Sequence, residues 1–128
     1  MLPLRHPRFW LLLGWLMVAI VIGASLMPAR AVEILFGTLS DKAEHIGAYA
    51  GLMAWFGGML RRTSQLWIGV GLVVLGGALE LLQGLTPTRT PDVLDLTADS
   101  IGVLIGLVLS MTVLNRWCQR VENAFLVR

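Results

Sequence analysis

Charge is scarce in this chain. Asp, Glu, Lys and Arg make up 14% of its 128 residues, against about 25% in soluble domains. Hydrophobic residues make up 56%, and a soluble domain of this length has no interior large enough to hide them. Cysteine occurs once, at Cys118, so no internal disulfide can form. It lies beside Arg116 and Arg120, on the side expected to face a reducing cytoplasm, and reads as an incidental thiol at the membrane edge. The formal net charge of +2 and the pI near 9.3 could suggest nucleic acid. No basic block with interleaved aromatics is present, which removes that partner. Also missing are internal repeats, low-complexity tracts, a glycine-rich phosphate loop, and a serine or cysteine in a nucleophile motif.

What fills the chain instead is four apolar runs, at roughly 9–27, 43–60, 65–84 and 96–114. Each is near the ~20 residues that span a bilayer as a helix. With a capped start the last extends to about 92–115. The expected class is all-α: an integral membrane four-helix bundle, multi-pass, forming one domain over residues 1–128. The first 31 residues also resemble a cleaved signal peptide, with Ala29-Arg30-Ala31 as the small-x-small site. The apolar stretch exceeds the ~7–15 residues of a signal core, and Arg30 sits inside the cleavage pattern, so a retained helix is expected.

The basic residues orient the bundle. Arg5, Arg8, Arg61, Arg62, Arg116, Arg120 and Arg128 fall on one side, and only Arg30, Lys42 and Arg89 on the other. By the positive-inside rule both termini are cytoplasmic, as expected in a bacterial cytoplasmic (inner) membrane. The acids, which do not set topology, gather oppositely: Glu33, Asp41, Glu44, Glu80, Asp92, Asp95 and Asp99 lie toward the outer side, leaving Glu122 inside. Several tryptophans stand at run ends, where an interfacial belt expects them.

Helical spacing gives the faces. Asp92, Asp95, Asp99, Gly102, Gly106 and Ser110 share one stripe of the last run. Gly102 and Gly106 make the small-xxx-small step of close helix packing. On the third run Gly69, Gly76, Glu80 and Gln83 share a side. On the second, Asp41, His45 and Tyr49 follow at four-residue spacing, with Gly47 and Gly51 as an adjacent packing flank. Ser40 can cap the second helix, and Thr90 the fourth with Pro91 in its first position. Three helices thereby send polar groups inward near the outer surface. Read plainly, Asp41 and Asp92 are dipole-stabilising acids at helix starts, and the whole set is a buried network fixing helix register. Glu80 resists that reading, because a carboxylate within a span needs a partner or a proton; Arg89 is a candidate partner for it or for Asp95.

Asp41-Lys42-x-x-His45-x-x-x-Tyr49-x-x-Leu52, then Glu80-x-x-Gln83, then Arg89, then Asp95-x-x-x-Asp99-x-x-Gly102-x-x-x-Gly106 resembles the VanZ-like family of small membrane proteins. The resemblance covers most of the chain and rests on four elements in order with matching spacing. Its named member is associated with low-level resistance to the glycopeptide teicoplanin, so the resemblance implies cell-envelope biology and a class of protein, not a reaction. The chain departs from the family pattern at Asp99, where Asn is usual, which would make the site more negative.

The favoured expectation is a binding protein. Asp41, His45, Tyr49, Glu80, Gln83, Arg89, Asp95 and Asp99 would wall an outer cleft for a lipid headgroup, envelope precursor or glycopeptide-type antibiotic. Arg89 could grip a phosphate or carboxylate in two-pronged fashion. The alternative is a membrane-embedded hydrolase or transferase acting on a lipid-linked phosphate. There His45 and Glu80 would serve as acid and base, with Asp95 and Asp99 on a divalent cation. No other cofactor is expected. A third reading is pure assembly, as a homo-oligomer or with another membrane protein, through Gly47, Gly51, Gly76, Gly102 and Gly106.

Overall fold

The computed structural model describes residues 1–37, 40–87 and 90–125; Arg89 and Arg128 lie outside them. Six helices follow in order: α1 (Pro7–Leu26), α2 (Ala29–Phe36), α3 (Asp41–Met59), α4 (Arg62–Gln83), α5 (Val93–Met111) and α6 (Trp117–Phe125). No strand occurs among the described residues. Three of the helices, α1, α4 and α5, are long and apolar enough to cross a membrane, with mean hydropathies of 2.3, 1.8 and 1.8. The second expected span, α3, falls outside this set. Its first two turns carry Asp41, Lys42, Glu44 and His45, which lower its hydropathy although its remaining turns are apolar.

α3 lies at the centre. It packs most extensively against α5 and also touches α1, α4 and α6. Its apolar turns supply Tyr49, Leu52, Met53, Phe56 and Met59 to the core, joined by Trp10 and Val18 of α1, Leu72 of α4 and Val103 of α5. The outer faces of the long helices stay apolar and exposed. Leu12, Trp15 and Leu16 of α1, Trp67, Val70 and Val74 of α4, and Leu104 and Val108 of α5 all point away from the core. In a bilayer that surface meets acyl chains.

Close approach of α3 and α5 depends on glycine. A Cβ on Gly102 would stand 2.5 Å from the Ile46 carbonyl oxygen, and one on Gly106 would stand 2.6 Å from that of Ala50. The expected flank of Gly47 and Gly51 is corrected: both face open space. The contact instead uses Ile46 and Ala50, one position earlier and so 100° round the helix. Gly76 does pack, against Asp99. At the other end of the same seam, the space beside Gly57 is taken by Ser110 and that beside Gly58 by Trp117.

Helix ends follow local chemistry. Ser40 caps α3, its hydroxyl accepting from the Ala43 N–H at 3.2 Å, as the sequence suggests. The cap of α5 is Asp92 rather than Thr90, its Oδ1 accepting from the Leu94 N–H at 2.9 Å. Pro91 therefore precedes the helix. An aspartate reaches the first free amides as well as threonine does, and the Asp92 N–H is itself engaged by Glu80.

Two short helices occupy stretches expected to be connections. α2 begins after Pro28, which cannot continue α1, and stops at Gly37, whose φ of 88° favours glycine. Its Ile34 and Leu35 are exposed, as in a helix lying along a lipid interface. α5 ends at Met111, short of the expected 115, and the chain turns through Arg116 at a left-handed φ of 55° into α6. Both helices are under three turns long, too brief to be told from a loop by periodicity.

α6 closes over the N-terminal segment. The buried Glu122 carboxylate accepts from the Arg5 N–H (2.7 Å), the His6 N–H (3.0 Å) and the Trp10 indole (2.8 Å). Desolvation pushes its pKa up, but these donors together hold it below the ordinary value of 4.5. Trp10, Trp55 and Trp117 pack beside it edge-to-face or tilted, with ring centroids 5.2 to 5.4 Å apart. Those three are an internal cluster, whereas Trp15 and Trp67 face outward as belt residues would. Cys118 is fully buried here, and burial, helped by the Glu122 charge, pushes its thiol up to about 12. It is a buried thiol of the core.

Candidate functional site

The start of α3, the end of α4 and the start of α5 meet at one end of the bundle. His45 sits between carboxylates. Its Nδ1 is 2.6 Å from Asp99 Oδ1, and its Nε2 is 3.7 Å from both Asp41 Oδ1 and Asp95 Oδ2. Asp99 and Asp95 are 1% and 6% exposed, while the Asp41 side chain is largely open. Helical spacing places Asp95 and Asp99 one turn apart on the buried stripe of α5, and Asp41 one turn before His45 on α3.

Lys42 completes the cluster. Its ammonium donates to Asp92 Oδ2 at 3.0 Å and to Asp95 Oδ1, and lies 3.6 Å from Asp41 Oδ2. The Lys42 hydrogen bond, then the Leu94 N–H, holds the exposed Asp92 carboxyl below its usual range. Neither Lys42 nor Asp92 stood among the site residues expected from sequence. The signal for Lys42 was available: it is three residues before His45, hence on the same helical face, and it is a cation among acids.

Other expected members have different duties. Glu80 is buried, and its Oε2 accepts the Asp92 N–H at 2.9 Å, tying the end of α4 to the cap of α5. Among the described residues its partner is a backbone amide; Arg89, the candidate partner for it or for Asp95, lies outside them. No hydrogen bond joins Glu80 to His45 among the described residues. Gln83 is buried and donates to the Ser25 carbonyl at 2.7 Å, fastening α4 to the end of α1. Tyr49, 2% exposed, lines a small recess of about 80 Å³ with His45, Asp41, Glu44, Ser25 and Val32. A second, wider recess of about 350 Å³ opens beside Asp41, Gln83, Pro91, Asp92 and Asp95. Asp41 lines both.

Chemically, the arrangement is a cluster of acids around a lysine and an imidazole, with His45 and Asp99 in direct contact. Asp41, His45 and Asp95 each present a ligand atom within 4.8 Å of the others, a set that could hold a metal ion. Asp99, expected to share a cation with Asp95, is not in that set: it is spent on His45. The Lys42 ammonium competes for the same carboxylates, so an entering divalent ion would have to displace it from Asp95.

No protein-family model matches the chain, and neither curated proteins nor solved structures give a significant match.

Proposed function

We propose that this is a VanZ-like multi-pass membrane protein whose cluster around His45 binds a cell-envelope ligand at the outer face. In this reading α1, α3, α4 and α5 all cross the bilayer as a four-helix bundle, with both termini in the cytoplasm. The asymmetry of arginine and lysine supports that orientation. One observation carries the reading: two side recesses share Asp41, and the buried Asp95 that lines the wider one is neutralised by Lys42, a side chain still 39% exposed. An exposed ammonium is a replaceable partner. Four described acids, Asp41, Asp92, Asp95 and Asp99, face Lys42 and His45, so the site suits the amine or hydroxyl face of a headgroup, precursor or glycopeptide. Resistance to teicoplanin-type antibiotics is the phenotype that the family resemblance suggests.

The test is binding by the purified protein with His45→Ala and Asp99→Asn as probes. Asn keeps an oxygen for the His45 N–H and restores the family's usual residue. The reading expects a saturable rise in melting temperature with an amine-bearing envelope ligand, lost in His45→Ala while the apo protein stays folded. Equal stability loss and phenotype loss in both variants would reduce the cluster to a register-fixing network.

The 2.6 Å contact between His45 and Asp99 favours a second reading. An imidazole oriented by a buried carboxylate is the usual form of a general base, here for hydrolysis or transfer at a lipid-linked phosphate. Product formed from a labelled envelope lipid, and its loss by orders of magnitude in Asp99→Asn, would select this reading over binding alone.

A further inference from the structure

The opposite end of the bundle holds a cavity that the site around His45 does not use. It measures about 520 Å³ and is lined by Arg61, Arg62, Arg116, Gln65, Asn115 and Gln119, with Leu2, Pro3 and Leu60. None of the three arginines forms an ion pair among the described residues. Among the described residues Arg62 donates only to the Met111 carbonyl, at 3.2 Å. The only described acid at this end, Glu122, does not line the cavity, and its carboxylate is occupied by Arg5, His6 and Trp10. α4 starts here with Arg61 as its cap and no side chain on its first amides. A helix start of that kind favours an anion.

A second observation is independent of charge. Gln65, 1% exposed, lines the cavity, and its Oε1 is buried without a partner. Its Nε2 donates to the carbonyls of Gly57 (2.8 Å) and Leu60 (3.3 Å). Both neighbours are acceptors, so flipping the amide would break two bonds, and the orphan must be the oxygen. The cavity therefore asks for an anion and for a hydrogen-bond donor together.

We propose that this cavity binds the phosphate of an anionic phospholipid, with a headgroup hydroxyl donating to Gln65. The arginines and the free amides of α4 take the phosphodiester. The positive-inside orientation puts the cavity at the cytoplasmic leaflet, where anionic lipids concentrate and basic pockets between helices collect them. Arg116 reaches the site from a left-handed turn, a conformation that a non-glycine residue adopts at a cost.

The test is lipid retention by the purified full chain, read by native mass spectrometry against equimolar phosphatidylglycerol, phosphatidylmethanol and phosphatidylcholine. Phosphatidylglycerol should be retained best; phosphatidylmethanol, equally charged but without hydroxyls, next; and phosphatidylcholine least. Each of Arg61→Gln and Arg116→Gln should weaken phosphatidylglycerol about fivefold, with recovery in the Lys variants. No preference of the wild-type chain for phosphatidylglycerol over phosphatidylcholine overturns the proposal. So does a preference that survives the double Gln substitution. Equal retention of phosphatidylglycerol and phosphatidylmethanol overturns the hydroxyl contact to Gln65. Competition by millimolar inorganic phosphate at the lipid's own affinity overturns the lipid as the source of the phosphate.

Discussion

The carboxylates of Glu122 and Asp95 are almost equally hidden, at 3% and 6% exposure, yet they are satisfied in opposite ways. Glu122 is held by two backbone amides and an indole, donors fixed by the fold and carrying no counter-charge. Asp95 is held by the Lys42 ammonium at the end of a flexible stem and faced by His45, which also serves Asp41 and Asp99. A fixed set of neutral donors makes a clasp. A movable cation among surplus acids makes a site, because a ligand bearing the same chemistry can take its place. The two ends of one bundle thus hold their buried carboxylates differently, one on fixed neutral donors and the other on a movable ammonium.

The largest expected effect breaks the clasp. Glu122→Ala leaves three donors without their acceptor, each worth ~1 kcal/mol or more, so unfolding free energy should fall by about 3 kcal/mol. Reversible unfolding in denaturing detergent measures it, and a loss below about 1 kcal/mol would mean the clasp stabilises nothing. Next, Gly102→Val should cost ~1–3 kcal/mol by forcing α3 from α5, whereas Gly47→Ala, facing open space, should stay within about 0.5 kcal/mol. Equal costs at the two positions would contradict the observed seam.

Acid sharpens the contrast. The folded pKa of Glu122 lies below its ordinary value of 4.5, so its contribution is full above that value and is lost as pH falls through the lower folded pKa. The melting temperature should drop over that window in the wild type, and Glu122→Ala should lack that component of the drop. The smallest effect belongs to the site. Lys42→Met removes the ammonium that pairs with Asp92 and the buried Asp95 and frees both carboxylates. Binding of Mn²⁺, followed by its paramagnetic signal, should then tighten; unchanged or weaker binding would show that Lys42 does not guard the carboxylates.

Much of this was readable beforehand. The buried stripe of α5, from Asp95 through Asp99, Gly102 and Gly106 to Ser110, is as the 3.6-residue period requires. Gly69, Gly76, Glu80 and Gln83 likewise all face inward on α4. Periodicity assigns a face because every residue of a helix turns by the same angle. It cannot say which neighbour meets that face: Gly47 and Gly51 stand beside a packing stripe yet face open space, and Glu80 accepts from the Asp92 amide, a partner no spacing names. α2 and α6 escaped because two turns of helix carry too little pattern.

Composition and spacing alone determined an all-helical chain with membrane-length helices and acids gathered at one end. Both follow from local rules that need no knowledge of neighbours: apolar length against bilayer thickness, and rotation per residue. Only the tertiary structure decided that Asp99 is spent on His45, that Lys42 holds Asp95, and that Gln65 is left with a bare oxygen. The first two are meetings between helices far apart in the chain, and the third follows from how the start of α4 folds back on the end of α3. Which donor reaches an acceptor is set by distances of an ångström or two that no single helix contains.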